Sequence, residues 1–483
     1  MVVFFLIFIL FISYITIRRW TTSPNLPPGP LRIPIIGNLH LLKLPLHKTL
    51  RQLSASYGDL MFLQLGSVPT IVVSSKEVLN EITKSHDLNF SSRPMTRVAE
   101  KIDYGVSFIF AGYDSYWREI RKVATLELLS PKKVQSFEKV REEEVAGLIR
   151  SIAESSGATN LTKLFLTLTS NTICRAAFGS TKINGKDADV WLQELQRLSA
   201  AICIGDFFPW LGFLDKLTGF ERKLEEGFMK VRELSDEILE SHRSPKRSTP
   251  EREDFVDVLL GLQKQSTSTT FSDNSIKAII QDFFLAASDS SLATMEWTMA
   301  ELIRNPNIMK KVQDELDSVV TNGRVEPSHL GKLSYLKMVI KESMRLHSVT
   351  PLLVPRETVE ACTIKGYQIP AKTRVFVNSS AIHLDGNTWE NPYEFKPERF
   401  SKLSVDLRGK SSDYIPFGFG RRICPGMEFS TCLVEIAMAS MLYHYNWKLP
   451  DGVTVENMNM DEDLGIAVKM RNSLFLVATH RSV

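Results

Sequence analysis

The chain has 483 residues, 43% of them hydrophobic and 23% charged, the balance of a globular protein able to bury a sizeable core. Its 58 Lys and Arg against 55 Asp and Glu leave a formal charge of +3, so nothing in the charge argues for a nucleic-acid partner. Five cysteines (Cys174, Cys203, Cys362, Cys424 and Cys432) are scattered and odd in number, which argues against a disulfide framework and for a reducing compartment.

Val2 to Ile17 is uncharged and almost wholly apolar, and Arg18-Arg19-Trp20 follows it. The run is slightly short for a bilayer needing about 20 residues, although extension through Trp20 nearly closes the gap. No positive charge precedes it and no small-residue cleavage site follows, so it reads as a signal anchor rather than a cleaved leader. The trailing arginines leave the body on the cytosolic side. Residues 1–20 are thus expected to be a membrane anchor. Leu26-Pro27-Pro28-Gly29-Pro30 cannot continue a helix, and 21–37 reads as a stiff hinge.

Leu60–Leu65 and Thr70–Val73 flank Gly66-Ser67-Val68-Pro69, which predicts a β-hairpin. A helix is expected from about Lys76. Helical periodicity then recurs at Lys133–Ala153, Val190–Ala201, Arg222–Ser241, Asn274–Ile303, Met309–Val319 and Leu333–Leu346. Ser244–Glu253, dense in Pro, Lys, Arg and Ser, reads as an exposed loop. Short β signals return at Cys362–Ile369, Thr373–Val377 and Leu474–Ala478. No repeat and no internal boundary is visible. The body, 38–483, is expected to be one mainly α domain with a minor β part.

Four constellations carry chemistry. Cys424 lies in Pro416-Phe417-Gly418-Phe419-Gly420-Arg421-Arg422-Ile423-Cys424-Pro425-Gly426, before an apolar helical pattern. A thiolate is a strong metal ligand whose charge needs local support. Gly418 and Gly420 would let the backbone aim N–H groups at the sulfur, and Arg422 and the following helix N-terminus would add positive charge. A lone cysteine is otherwise usually a small buried residue. Trp117 and Arg121 stand four apart on one helix face, able to offer an indole N–H and a guanidinium to a carboxylate. Asp282 to Ser291 places Ser and Asp inside a long apolar helix, where their side chains compete for backbone hydrogen bonds. Glu342 and Arg345 form an i,i+3 pair, with Pro397-Glu398-Arg399-Phe400 downstream. The histidines, His347 and His383 included, show no metal-type spacing and receive no catalytic role.

Taken in order, these motifs resemble those of the cytochrome P450 family, and the resemblance covers nearly the whole chain. The spellings Ile36-Gly37-Asn38-Leu39-His40 and His86 to Pro94, with the cysteine loop, are similar to the plant microsomal branch, the seventy-one clan. The resemblance implies a single haem-thiolate domain behind a transmembrane anchor, with Cys424 as axial ligand to the iron of haem b. It implies that Trp117, Arg121, Arg356 and Arg422 bind the propionates. Asp289 and Ser290 would relay protons, and Glu342, Arg345 and Arg399 would lock the loop leading to the cysteine. The chain departs from the family at Ala287, usually Gly, and at Ser290, usually Thr. Looser proton coupling or a shifted pocket is the expected consequence.

The function so implied is insertion of one oxygen atom from O2 into a small lipophilic plant metabolite, a terpenoid, alkaloid or phenylpropanoid. Electrons would come from NADPH through a membrane-bound reductase, at the endoplasmic reticulum. Pocket walls are expected from Val106–Phe110, Phe284, Ala286, Leu352–Val354 and Ile466-Ala467. Two alternatives stand beside it. A reductase-independent haem-thiolate isomerase or dehydratase would tend to lack the acid–alcohol pair. A non-catalytic haem-binding protein would show no turnover. A haem-free interaction module leaves the cysteine loop unexplained.

Overall fold

The computed structural model describes residues 25–481, apart from 103–105, 184–185, 188–194, 200, 246, 248–251, 266–270, 402–406, 410 and 464. The expected anchor lies outside the described residues, as does part of the 244–253 loop. Among the described residues no helix is long and apolar enough to cross a membrane.

The elements that build the site are two strands, β1 (Leu60–Leu65) and β2 (Val68–Val73), then helix α1 (Ser115–Val123). Helix α2 (Glu138–Ala153), strand β3 (Ala158–Asn160) and helices α3 (Leu161–Phe178), α4 (Asp273–Arg304) and α5 (Ser334–Leu346) follow. After them come β4 (Arg356–Glu357), β5 (Arg374–Val377), α6 (Met427–His444), β6 (Tyr445–Lys448), β7 (Glu462–Asp463), β8 (Lys469–Met470) and β9 (Phe475–His480).

Helix α4 is the axis. Ser272 caps it, its Oγ accepting from Ser275 N at 3.2 Å, and Asn305 followed by Pro306 ends it. Its residues are buried on nearly every side, as expected of a helix with apolar residues all round. Its N-terminal half, Ile276 to Leu285, belongs to one apolar cluster with α3 residues and Phe228, Phe255 and Leu259. The C-terminal half, Leu292 to Ile303, belongs to a second cluster with α5 and α6. Residues 286–291, between the two, carry the polar segment. The helix thus presents Ala286, Ala287, Asp289 and Ser290 of its mid-section to a cavity, while Ser288 and Ser291 stay buried.

A four-stranded sheet in the order β1-β2-β5-β4 forms the second body of structure. β1 and β2 are antiparallel with Leu60 opposite Val73, β2 and β5 are parallel with Thr70 opposite Arg374, and β4 returns antiparallel with Arg356 opposite Val375. The hairpin turn is tighter than its sequence predicts: Gly66, at φ +60°, and Ser67 make it, and Val68 and Pro69 belong to β2. Pro69 fits because Gln64 opposite it bonds elsewhere. The Gln64 N–H donates to Asn38 Oδ1 (2.8 Å), and its carbonyl accepts from Asn38 N (2.6 Å). The helix expected over Lys133–Ala153 breaks at Phe137, whose fully buried ring meets Phe255 edge-on. A second sheet, β6-β9-β3, closes the opposite end.

Candidate active site

The loop 416–426 enters from the sheet side and delivers Cys424 to the N-terminus of α6. Its turn needs two left-handed residues, Gly418 (φ +77°) and Gly420 (φ +58°). A Cβ at Gly420 would lie 2.2 Å from Asp87 Oδ1, so a larger residue would have to displace that carboxylate and adopt a left-handed backbone. The N–H of Cys424 donates to Phe417 O at 2.9 Å. The thiol lies deep in the protein yet opens into a cavity. Its surroundings correct two expectations. The Gly418 N–H turns away to Ile415 O (3.0 Å), and the N–H groups of Gly426 and Met427 face the sulfur instead. The cation that acts on the thiol is Arg121 rather than Arg422. Burial raises the proton affinity of the thiol, and those N–H groups and Arg121 oppose it, so its pKa stands above the ordinary value.

Arg93, Arg121, Arg356 and Arg422 all line the same cavity. Each spends donors on backbone carbonyls. Arg422 reaches Ser91 O and Ala111 O (both 2.7 Å), Arg356 reaches Phe419 O (2.7 Å), Arg93 reaches Pro355 O (2.8 Å), and Arg121 binds Ile423 O. Among the described residues none of the four forms an ion pair with a carboxylate. Burial pushes Arg356 down to about 10, and burial with repulsion from Arg356 and Arg121 pushes Arg422 down to about 9. Arg93 is lowered strongly by burial, then by the other three. Four desolvated cations sharing one cavity are costly unless an anion joins them. A planar group bearing two carboxylates and a metal open to a thiolate suits this donor set. Trp117 is placed differently from its expected use: its indole N–H donates to Phe108 O (2.8 Å), and its ring lies 3.9 Å beneath the Arg422 guanidinium. Arg93 escaped the sequence reading of the site. Its only signal was its place before Pro94, within the stretch that resembles the family.

Above the thiol runs the mid-section of α4. Ala286, Ala287, Asp289, Ser290 and Thr294 line the cavity. The Ser290 hydroxyl donates back to Ala286 O at 2.7 Å, and the helix remains continuous there. Burial raises Asp289, Lys469 opposes it, and its Oδ2 stands 3.6 Å from Lys469 Nζ. Two turns further toward the N-terminus on the same face, Asp282 is wholly enclosed. It accepts from Ser107 Oγ (2.6 Å) and Phe108 N (2.8 Å), and burial pushes it up to about 7. The sequence shows Asp282 as part of the polar run and gives no hint of this use. The remaining walls are apolar, with Phe108, Ile109, Phe110, Leu353, Val354, Ile466 and Ala467 where expected. Four expected wall residues, Val106, Ser107, Phe284 and Leu352, do not line the cavity. Phe284 is fully buried against Phe178, and its neighbour Phe283 takes the wall position; Leu352 packs under the sheet. The space between these walls, together with its opening to solvent, is about 1830 Å³.

Beneath the loop, the Glu342 carboxylate is a fully buried hub. Arg345 reaches it twice (Nε 2.7 Å, Nη2 2.9 Å), and Arg399 Nε and Lys396 N each donate at 2.9 Å. Arg345 also holds His383 O and Pro392 O (both 2.8 Å). His383 itself is neutral, pushed down to about 3 by burial, and its Nε2 accepts from Ile415 N just before the cysteine loop.

The family model described as Cytochrome P450 matches residues 27–477. Strychnine-11-hydroxylase of Strychnos nux-vomica is 49% identical over 470 residues, covering 95% of this chain and 92% of that protein. Cytochrome P450 71A9 of Glycine max is 47% identical, covering 94% and 93%. A zebrafish cytochrome P450 solved with abiraterone superposes with a TM-score of 0.77 at 24% identity, over 91% of this chain and 100% of that one, which shows the shared fold. A cysteine loop, an arginine-lined cavity and these matches lead to one conclusion: the chain belongs to the cytochrome P450 family of monooxygenases, close to its plant seventy-one members.

Proposed function

We propose that the chain oxidises a small lipophilic plant specialised metabolite (an alkaloid, terpenoid or phenylpropanoid), inserting one atom of O2. Electrons come from NADPH through a separate cytochrome P450 reductase. One observation carries the reading: the Cys424 thiol opens into a largely apolar cavity together with two buried and two half-buried guanidiniums, none of which forms an ion pair with a carboxylate among the described residues. Haem b fits that donor set. Cys424 would hold its iron, while Arg93, Arg121, Arg356 and Arg422 would hold its propionates, with Trp117 as the platform under Arg422. When bound, it supplies the activation of dioxygen.

The chain's own residues do the rest. Phe108, Phe283, Leu285, Val354 and Ile466 exclude water and orient a lipophile. Asp289 gives a proton to the pocket, and the Ser290 hydroxyl helps to pass it. Glu342, Arg345 and Arg399 keep the cysteine loop in register. The strychnine hydroxylase relative and the apolar walls support an alkaloid-like or terpenoid-like substrate. The apolar run before Arg18-Arg19 supports a single-pass anchor at 1–20, a hinge at 21–37 and a cytosolic domain at 38–483 on the endoplasmic reticulum.

The test is the carbon monoxide difference spectrum of the reduced protein beside a Cys424→His variant. A strongly red-shifted Soret band in the wild type alone is expected. An unshifted band in folded wild type would overturn thiolate ligation. Turnover that needs NADPH, reductase and O2 then separates the monooxygenase from a reductase-independent isomerase.

A further inference from the structure

Lys469 is not part of the cavity wall, yet it is aimed at Asp289 from the outside. Two consecutive residues of α4 clamp the strap that carries it. Trp297 Nε1 donates to Val468 O at 3.1 Å, and Glu296 Oε2 accepts from Met470 N at 3.4 Å. Val468 N also donates to Val349 O at 2.7 Å. Glu296 is anchored in turn by the Thr162 hydroxyl, whose oxygen accepts from Leu474 N (2.9 Å). β8 pairs with β7, placing Lys469 opposite Asp463, and Glu462 of β7 binds Lys48 at 3.0 Å. The strap is therefore held at both edges, and Lys469 does not depend on its own side-chain contact for position.

The pair it makes with Asp289 spans the wall. The Lys469 side chain is 32% exposed and that of Asp289 only 14%. Asp289 Oδ2 points to Lys469, whereas its Oδ1 is buried and has no hydrogen-bond partner among the described residues. One carboxyl oxygen thus stands toward a partly exposed cation, while the other is enclosed without a hydrogen-bond partner in a residue that lines the cavity.

We infer that Lys469 is the positioning residue for Asp289: it turns the carboxyl outward, keeps its ionised form accessible and marks the end of the route where solvent returns the proton. The inference deepens the proposed function and rests on Asp289 as the proton donor. The step balances simply. Asp289 gives its carboxyl proton to an acceptor in the pocket, the carboxylate left behind is compensated by the Lys469 ammonium, and water at the exposed end restores the proton. Other groups facing Asp289 cannot substitute. Gln196 lies beside the carboxyl and donates to Ser288 Oγ (3.0 Å), but it carries no charge. Asp463 and Glu296 are acids and push the proton affinity the other way. Among the described residues Lys469 is the cation that forms an ion pair with Asp289.

The experiment uses the haem-loaded full chain with Lys469→Met, Lys469→Arg and Asp289→Asn. The protonated-carboxyl band of Asp289, assigned in infrared difference spectra by its loss in Asp289→Asn, is titrated with pH. With the cation gone, Lys469→Met should hold the proton to a pH at least one unit higher than wild type, and Lys469→Arg should titrate like wild type. In the same variants, product formed per NADPH should fall at least threefold in Lys469→Met while the spectrally measured substrate affinity stays within twofold. A band that titrates identically in wild type and Lys469→Met, with Asp289→Asn uncoupled, overturns the role of Lys469 alone. If Asp289→Asn couples like wild type, the proton-donor reading of Asp289 fails and the catalytic half of the inference fails with it.

Discussion

Replacing Glu342 by Ala should be among the most damaging single changes in the chain. The carboxylate is fully buried, as is the Arg345 side chain, and Arg399 is 7% exposed. Removal deletes four hydrogen bonds, three of them from guanidiniums. Arg345 would keep its bonds to the carbonyls of His383, Pro392 and Glu394, which are dipoles and not charges. An uncompensated buried charge of this kind costs about 3–5 kcal/mol. Set against a net stability of about 5–15 kcal/mol for a typical domain, that is a large share. A like-for-like control exists in the same fold: Arg175 pairs with Glu143, whose side chain is 45% exposed, and losing such a pair costs about 1 kcal/mol or less. Glu342→Ala and Glu143→Ala should be compared by chemical denaturation and by haem retained after purification. The first should lose most of its haem and unfold at clearly lower denaturant, the second should resemble wild type. Equal losses in the two variants would show that burial of the pair does not govern its worth.

Two further outcomes follow from the cavity. Asp282 carries a pKa of about 7 in the folded chain against about 4 for an ordinary carboxyl, so the folded state binds the extra proton. Its stabilising share is complete below about pH 4 and is lost as pH rises through about 7. Asp282→Asn should remove that part of the decline in melting temperature between pH 5 and 8; an unaltered slope would place the titration elsewhere. Ser290→Thr restores the methyl that limits the hydroxyl's rotamers. A gain of about 0.5 kcal/mol in the productive orientation corresponds to about a twofold fall in hydrogen peroxide released per NADPH. Unchanged peroxide would assign the looseness to Ala287 instead.

What the sequence discloses divides by range. The cysteine loop is legible because its glycines, arginine and cysteine act within a few residues, and so is the Glu342–Arg345 pair one helical turn apart. The donors to the sulfur are legible only in part: the sequence points to the N-terminus of the following helix, which Gly426 and Met427 supply, but how the loop meets α6 is a matter of three-dimensional placement. Asp282 binds Ser107 across 175 residues, and Arg93 binds Pro355 across 262; no local pattern reports such partners. Helix α3 was invisible to periodicity for another reason. From Leu168 to Phe178 it is buried on nearly every side, with polar Thr169, Ser170 and Thr172 among the buried positions, so apolar residues do not mark one face there.

Helix α4 shows why burial on all sides is compatible with a site. Asp282, Asp289 and Glu296 recur every seven residues, close to two turns, so they share one face of a helix otherwise committed to the core. Each is tied to a different stretch of chain: Asp282 to the segment Ser107–Phe108, Asp289 to Gln196 and Lys469, Glu296 to Met470 and Thr162. Burial raises the proton affinity of all three, so each tie opposes a desolvation cost that a solvated acid would not meet. A helix with apolar residues at these positions would bury as much surface. It would offer no hydrogen bond to the surrounding segments, and the walls would be placed by shape alone. The row of acids exchanges some stability for register: it fixes where three separate stretches of chain stand relative to the mid-section of the helix, which is the part that faces Cys424.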